Sequence, residues 1–387
     1  MTEITELQFK KDDLATRRLI KRTAPGLNDG EALAKVDRFA FTANNVTYGV
    51  VGERIGYWKF FPVQSQPGAA APLAGDVVDP PAASPAGDAA DAEWGIIPVW
   101  GFADIIESRH PEVSVGERLY GYWPTASHLI MAPTKVKDAR LFDGAAHRAE
   151  LPPVYNAYAR VSGEAGYDPS MDDERMTLYP LYATSYCLYD FAKDNDWFGA
   201  SQVIIPSASS KTAIGTAYAF KDDPAAPRVI GVTSARNESA VLSMKLYDDV
   251  VRYDEMESRI DASVPSLIID MSGSGPVIGR LHKLLGENMR YTSNVGITHY
   301  DAGGMGDGYI KDRSAMFFAP GHIQKRATDW GPGVFERRAF DFWRSAAVKS
   351  RDWLTIHKGS GPDAIEAAIA EVYAGETPAN VGWVVGF

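Results

Sequence analysis

Residues 201–220, S-Q-V-I-I-P-S-A-S-S-K-T-A-I-G-T-A-Y-A-F, constrain the fold of this chain more than any other stretch. Val203, Ile204 and Ile205 are consecutive, branched and apolar, the texture of a parallel strand covered on both faces. Ser207, Ala208, Ser209, Ser210 and Ala213 are small enough to let a backbone approach a ligand. From Lys211 and Thr212 onward the pattern predicts a helix whose free N–H groups point at an anion. Strand, tight turn and helix in that order cradle a pyrophosphate. The alternative is an ordinary strand–turn–helix unit with serine capping, because no G-x-G-x-x-G is present and Lys211 stands where glycine is expected.

A second strand is predicted over residues 228–237, R-V-I-G-V-T-S-A-R-N, ending where the adenosine ribose of a dinucleotide would lie. The acidic residue that usually binds that ribose is missing, and Thr233, Ser234, Arg236 and Asn237 take its place. Hydroxyls beside a guanidinium suit a 2′-phosphate better than a free 2′-hydroxyl, so the expected cofactor is NADP(H) rather than NAD.

The chain has 387 residues, enough for two to three domains, and its 45% hydrophobic and 23% charged residues are those of a globular protein with ample core. A net charge of −11 argues against nucleic acid or an anionic membrane as the main partner and leaves a small-molecule substrate as the expected one. Cys187 is the only cysteine, which excludes an internal disulfide framework and a cysteine-rich zinc site. The seven histidines are scattered without ligand spacing, so no metal is expected. Residues 1–21 are polar and charged, and no long apolar run suggests a membrane span; the expected location is the cytoplasm.

Texture changes along the chain. Residues 31–41 alternate apolar and polar positions, and strand signals return at 94–107, 118–124 and 128–131, separated by Gly and Pro as in a small rolled sheet. Between them, residues 64–93 are rich in Ala, Pro, Gly and Asp and read as a surface excursion. Beyond Asp190, strands at 202–206, 228–233, 248–253, 265–271 and 291–297 alternate with helices such as 237–246 and 277–286, which predicts a parallel, doubly wound sheet. Helices at 340–350 and 363–373 and a strand at 381–385 follow.

This order, together with five local motifs, resembles the medium-chain dehydrogenase/reductase superfamily. Residues 115–121 (V-G-E-R-L-Y-G) are similar to its "V-G-D-R-V-x-G" turn, residues 182–188 (Y-A-T-S-Y-C-L) to its "G-L-T-A-Y-x-A-L" helix, and residues 268–273 (I-I-D-M-S-G) to its "D-x-V-x-D-x-x-G" strand. Val295 and Gly296 correspond to a strand end on the cofactor side, and residues 377–385 to the terminal "P-x-x-x-G-x-x-V" strand. The divergence is similar to that of the family called domain of unknown function 2855. The resemblance implies an α/β chain with a GroES-like rolled β domain, 1–175 and 319–387, and a Rossmann NADP-binding domain, 176–318. It adds Thr184, Ser272, Gly273 and Gly296 to the expected cofactor contacts, and it implies a homodimer.

Zinc ligands of the alcohol dehydrogenase branch have no counterpart here: the first ligand region reads N-N-V-T-Y at 44–48, and Cys187 lies in the nucleotide-side helix. The resemblance is therefore to the zinc-independent quinone and enoyl reductases, whose "N-P-x-D…G-x-Y" segment aligns with Asn45, Tyr48 and Gly56-Tyr57. A phenol there can protonate or hydrogen-bond the charge that hydride addition builds. Tyr48, Tyr57 and Asn45 are thus the candidate catalytic residues; the alternative is that both tyrosines fill an aromatic sheet. Asn44, Trp58, Phe60 and Phe61 are candidates to line an aromatic pocket with Tyr57. His299 and Asp301 form a candidate proton relay or a surface pair, and Phe317 and Phe318 begin either a shield over the nicotinamide or plain core. The expected function is NADPH-dependent reduction of a carbonyl or an activated alkene; the alternatives are an NADP-binding sensor without turnover and a non-redox lyase or hydrolase on the same fold.

Overall fold

The computed structural model describes residues 2–64, 70–71, 91–296 and 306–387. Most of the 64–93 excursion, and His299 with Asp301, lie outside the described residues. The chain forms two compact units, one of residues 1–177, 356–377 and 381–387 and one of residues 178–355 and 378–380.

The first unit is built on antiparallel sheet. Strands Ala32–Phe41, Pro98–Ser108 and Arg118–Pro124 are neighbours, and the terminal strand Val381–Gly386 pairs with the first of them. The pairing of Ala32–Phe41 with Pro98–Ser108 shifts register twice, at Leu33/Ala34 and at Val36/Arg38. Such bulges bend a strand and raise its twist, which rolls the sheet around Phe39, Val99, Leu119 and Trp123. Helix Pro362–Tyr373 adds Ile365, Ala368, Ile369 and Val372 to that core, the one-face spacing of an amphipathic helix. An N-terminal hairpin of Glu3–Lys10 and Asp13–Thr23 belongs to a second, smaller sheet.

Six parallel strands form the second unit's sheet, in the order Asp249–Arg252, Arg228–Thr233, Gln202–Pro206, Ser266–Asp270, Met289–Asn294, Ser314–Met316. Every residue of Gln202–Pro206 and Ser266–Asp270 is buried, as expected of central strands covered on both faces. Close approach is enabled at two glycines. A Cβ on Gly215 would lie 2.5 Å from the Tyr182 ring and 2.6 Å from Ser185 Oγ, so this glycine lets helix Lys211–Lys221 press on helix Asp172–Asp194. A Cβ on Gly231 would meet Ala208 and Tyr247 at 2.9 Å.

Leu178 begins the second unit, and Ile356 returns the chain to the first. Helices Ala319–Trp330 and Val334–Ser350 belong to the parallel-sheet unit because their buried groups find partners there. Phe335 and Ala339 pack on Cys187, Tyr182 Oη bonds Ser350 Oγ at 2.7 Å, and the buried Asp190 carboxylate accepts from His322 Nε2 at 2.6 Å and Arg326 Nε at 2.5 Å. The apolar pattern of 319–355 identifies helices without saying which sheet they cover.

Candidate active site and cofactor cradle

In the rolled-sheet unit the candidate tyrosines fall into one aromatic cluster. Helix Ala43–Val50 carries Asn44 and Tyr48 four residues apart, hence on one face. Asn45 anchors this helix: its Oδ1 accepts from Thr42 N (2.8 Å) and Thr42 Oγ1 (3.0 Å), and its Nδ2 donates to the Pro98 carbonyl (2.9 Å). The anchor lies two residues from Trp100 on the same strand, so Trp100 and Tyr48 meet. Tyr48 Oη accepts from Asn44 Nδ2 at 2.7 Å and from Trp100 Nε1 at 3.2 Å.

Tyr57 follows Gly56, whose φ of +88° turns the chain back, and its ring lies 4.5 Å from that of Tyr48. Its hydroxyl is 3.0 Å from Tyr155 Oη, and either phenol can be the donor. Tyr122, fully buried on the strand opposite Trp100, completes the cluster, and its phenol bears on that of Tyr48. Below the rings, buried Arg148 bonds Asp143 (2.6 Å) and Tyr158 Oη (3.0 Å), with its guanidinium over Phe61 at 4.9 Å. Burial drives the Tyr48, Tyr57, Tyr122 and Tyr155 phenols upward from their ordinary range, and the bonds from Trp100 and Asn44 oppose that rise at Tyr48. All four are therefore protonated near neutrality and able to donate.

Phe60 and Phe61 belong to this cluster, as the sequence suggested. Trp58 does not: it is wedged against Gly52 and Gly95, where an added Cβ would lie 2.3 Å from its ring, and it packs in the main core. Trp100, Tyr122, Tyr155 and Arg148 were missed, since they are brought in by strand register and by two short 3-10 turns, none of which leaves a motif.

In the parallel-sheet unit the predicted cofactor residues meet at the carboxyl ends of the strands, where open α/β sheets bind ligands. Ser207 has φ +60°, the left-handed conformation that glycine normally supplies at this turn. Its N–H donates to Tyr253 Oη (2.9 Å), Ala208 N donates to the Val232 carbonyl (3.0 Å), and Ser210 caps helix Lys211–Lys221 by accepting from Ala213 N (3.3 Å). Lys211 opens the helix, with burial pushing its ammonium down to about 8. Ser209 Oγ accepts from Asn237 Nδ2 at 3.0 Å, which ties this turn to the end of the second strand. There Thr233 is buried with its hydroxyl unpartnered among the described residues, Ser234 is half-buried and Arg236 is exposed.

On the other side of the turn, Asp270 Oδ1 accepts from Ser272 N (2.8 Å) and Ser272 Oγ (2.6 Å), and burial pushes this carboxyl up to about 6. Gly273 has φ +61°, and a Cβ on Gly296 would lie 2.7 Å from Gly273 N. These two strand ends thus close on each other because position 296 is glycine. Thr184 Oγ1 bonds its own helix at the Pro180 carbonyl (3.1 Å), while neighbouring Ser185 Oγ donates to the Thr212 carbonyl (2.8 Å), which sets Thr184 beside the first turn of the Lys211 helix. Tyr253 was not foreseen; it follows a short strand and touches the turn only through its hydroxyl.

The residues fit a dinucleotide: Ser207 holds the left-handed backbone of a phosphate-binding turn at the start of a helix, and the buried Thr233 hydroxyl has no partner among the described residues. Among the described residues no group of three or more His, Cys, Asp or Glu could hold a metal ion, and no helix is long and apolar enough to cross a membrane.

Residues 39–378 match the family described as protein of unknown function (DUF2855). No curated protein matches the chain by sequence. Similar solved structures include CurA from Vibrio vulnificus in complex with NADPH (11% identity, 99% of this chain and 98% of that one, TM-score 0.58). A mutant form of enoyl thioester reductase from Candida tropicalis (10% identity, 100% of both chains, TM-score 0.56) and the quinone oxidoreductase from Coxiella burnetii (12%, 100% of both, TM-score 0.50) share the fold.

Proposed function

Because this chain belongs to the DUF2855 family and has the fold of the medium-chain reductases, we propose that it is a zinc-independent, NADPH-dependent reductase of a carbonyl or activated alkene. The observation that carries this reading is the turn at Ser207, which adopts the left-handed backbone of a glycine fingerprint without the glycine and opens onto the start of helix Lys211–Lys221. Ser209, Ser210, Lys211 and Thr212 would hold the pyrophosphate, Thr233, Ser234 and Arg236 the 2′-phosphate end, and Ser272, Gly273 and Gly296 the opposite side. NADPH, when bound, supplies a hydride. The protein's own part is to orient the substrate and to donate a proton, for which the protonated phenols of Tyr48 and Tyr57 are suited and Asn45 is the anchor that positions them.

The relatives support the cofactor assignment, since CurA is crystallised with NADPH and two others are reductases by name. We further propose a cytoplasmic homodimer joined through the outer edge of strand Ser314–Met316, which lies at the end of the parallel sheet.

Calorimetry with NADPH and NADH, followed by a panel of enones, quinones and ketones monitored through loss of reduced-nicotinamide absorbance, tests the reading. NADPH binding at least about tenfold tighter than NADH, and oxidation with at least one substrate class, are the expected results. Equal affinities would reject the 2′-phosphate site, and binding without turnover across the panel would reject the reductase.

A further inference from the structure

Tyr48 and Tyr57 are both buried phenols, yet their hydrogen bonds leave them with different chemistry. A phenol oxygen has two lone pairs and one proton. At Tyr48 the oxygen accepts from Asn44 Nδ2 (2.7 Å) and from Trp100 Nε1 (3.2 Å), two groups that can only donate to it. With both lone pairs engaged, this hydroxyl has only its proton to offer, which the neighbouring Tyr122 phenol can hold until substrate takes its place. At Tyr57 the hydroxyl faces Tyr155 Oη at 3.0 Å, and each of the two can donate to the other. The Tyr57 proton can be satisfied inside the cluster, so nothing commits it outward.

We propose that Trp100 and Asn44 are positioning residues that make Tyr48, and not Tyr57, the proton donor to the carbonyl oxygen of the substrate. This rests on the reductase reading. In reduction of a ketone or a conjugated enone, a carbon takes up hydride from the reduced nicotinamide and the displaced π pair gathers on the carbonyl oxygen. The Tyr48 O–H bond breaks, its proton passes to that oxygen to give an alcohol or enol, and the phenolate left behind keeps both N–H bonds until solvent reprotonates it. Trp100 and Asn44 thus act most strongly after the proton has left, which is where their donors hold a full charge. Asn45 secures the arrangement by tying helix Ala43–Val50 to Pro98.

The test uses Trp100→Phe, which removes the N–H and keeps a ring, and Asn44→Leu on the partly exposed helix face, so that failure of one variant to fold leaves the other. Each should lower kcat about tenfold or more with KM within about twofold, as expected for a hydrogen bond to a charged group. A fluorotyrosine introduced at position 48 should titrate about one pH unit higher in either background, a shift that loss of packing alone does not produce. Unchanged titration in both variants overturns the proposal, as does native turnover in Tyr48→Phe beside lost turnover in Tyr57→Phe. If the native protein reduces nothing, the reductase reading fails while the titration still decides whether Trp100 and Asn44 act on Tyr48.

Discussion

The aromatic cluster and the cofactor cradle make opposite use of side chains. In the cluster, Tyr48, Tyr57, Trp100, Tyr122 and Tyr155 are large, and function rests on which hydroxyl donates to which. In the cradle, Ser207, Ala208, Gly273 and Gly296 matter for what they leave out, and on the proposed reading the backbone would do the binding. A site made of absent atoms tolerates exchange among small residues, whereas a site made of hydroxyl geometry loses its chemistry with one oxygen.

The sharpest way to break this contrast is at the phenols. Tyr48→Phe should lower turnover at least about a hundredfold, the scale of general acid catalysis, with NADPH affinity within about twofold. Tyr57→Phe should cost less, since Tyr57 shares its proton with Tyr155. Steady-state kinetics with both variants decides this, and equal native turnover in both would leave the cluster as mere packing.

A large effect of another kind is expected beneath the cradle. Asp270 titrates near 6 in the folded chain against 3.8 ordinarily, so burying its charge costs up to about 3 kcal/mol above pH 6 and nothing below about 3.8. His282, fully buried between Thr292 Oγ1 and Ile310 N, is held down to about 4 by burial and the nearby Arg313 charge, against 6.5 ordinarily. Its contribution is present above 6.5 and lost as pH falls toward 4, by a similar amount. The two slopes oppose each other over nearly the same window, so the contributions of these two groups nearly cancel across it. Asp270→Asn should be more stable by up to about 3 kcal/mol at neutral pH and should then lose stability on acidification. Urea unfolding near neutrality and near pH 4 checks both halves, and a flat profile in the variant would remove His282 from the account.

Smaller effects belong to the cradle itself. Arg236→Ala should erase most of the NADPH preference, about 1.4 kcal/mol for tenfold, as read by calorimetry with both cofactors. Ser207→Gly should stabilise the protein by a few tenths to about 1 kcal/mol, because the left-handed backbone costs a serine more than a glycine, while NADPH affinity stays within about twofold. A loss of stability would show that the serine side chain holds the turn and would blur the contrast between the two regions.

Much of the cradle was legible because its parts are contiguous. Residues 202–212 carry a strand, a turn and a helix start within one short stretch, and strand Arg228–Thr233 was recognised to the residue. What escaped was Tyr253, whose hydroxyl reaches Ser207 N from the end of Asp249–Arg252, two strands away in the sheet. In the rolled sheet the strands at 118–124 and 128–131 were equally plain, but helix Ala43–Val50 was not: its start depends on Asn45 capping Thr42, and its single face spans little more than two turns.

Local sequence determined which elements form, because periodicity, small-residue turns and buried branched runs act over a few residues. It determined, too, that a turn of small residues precedes the Lys211 helix, and that cysteine chemistry is confined to a single thiol. Tertiary structure alone decided that 319–355 covers the parallel sheet and that Trp58 is core while Trp100 reaches Tyr48. Those outcomes depend on strand register and helix docking, where one residue of slip turns a side chain to the opposite face, and no local pattern encodes a partner about fifty residues away.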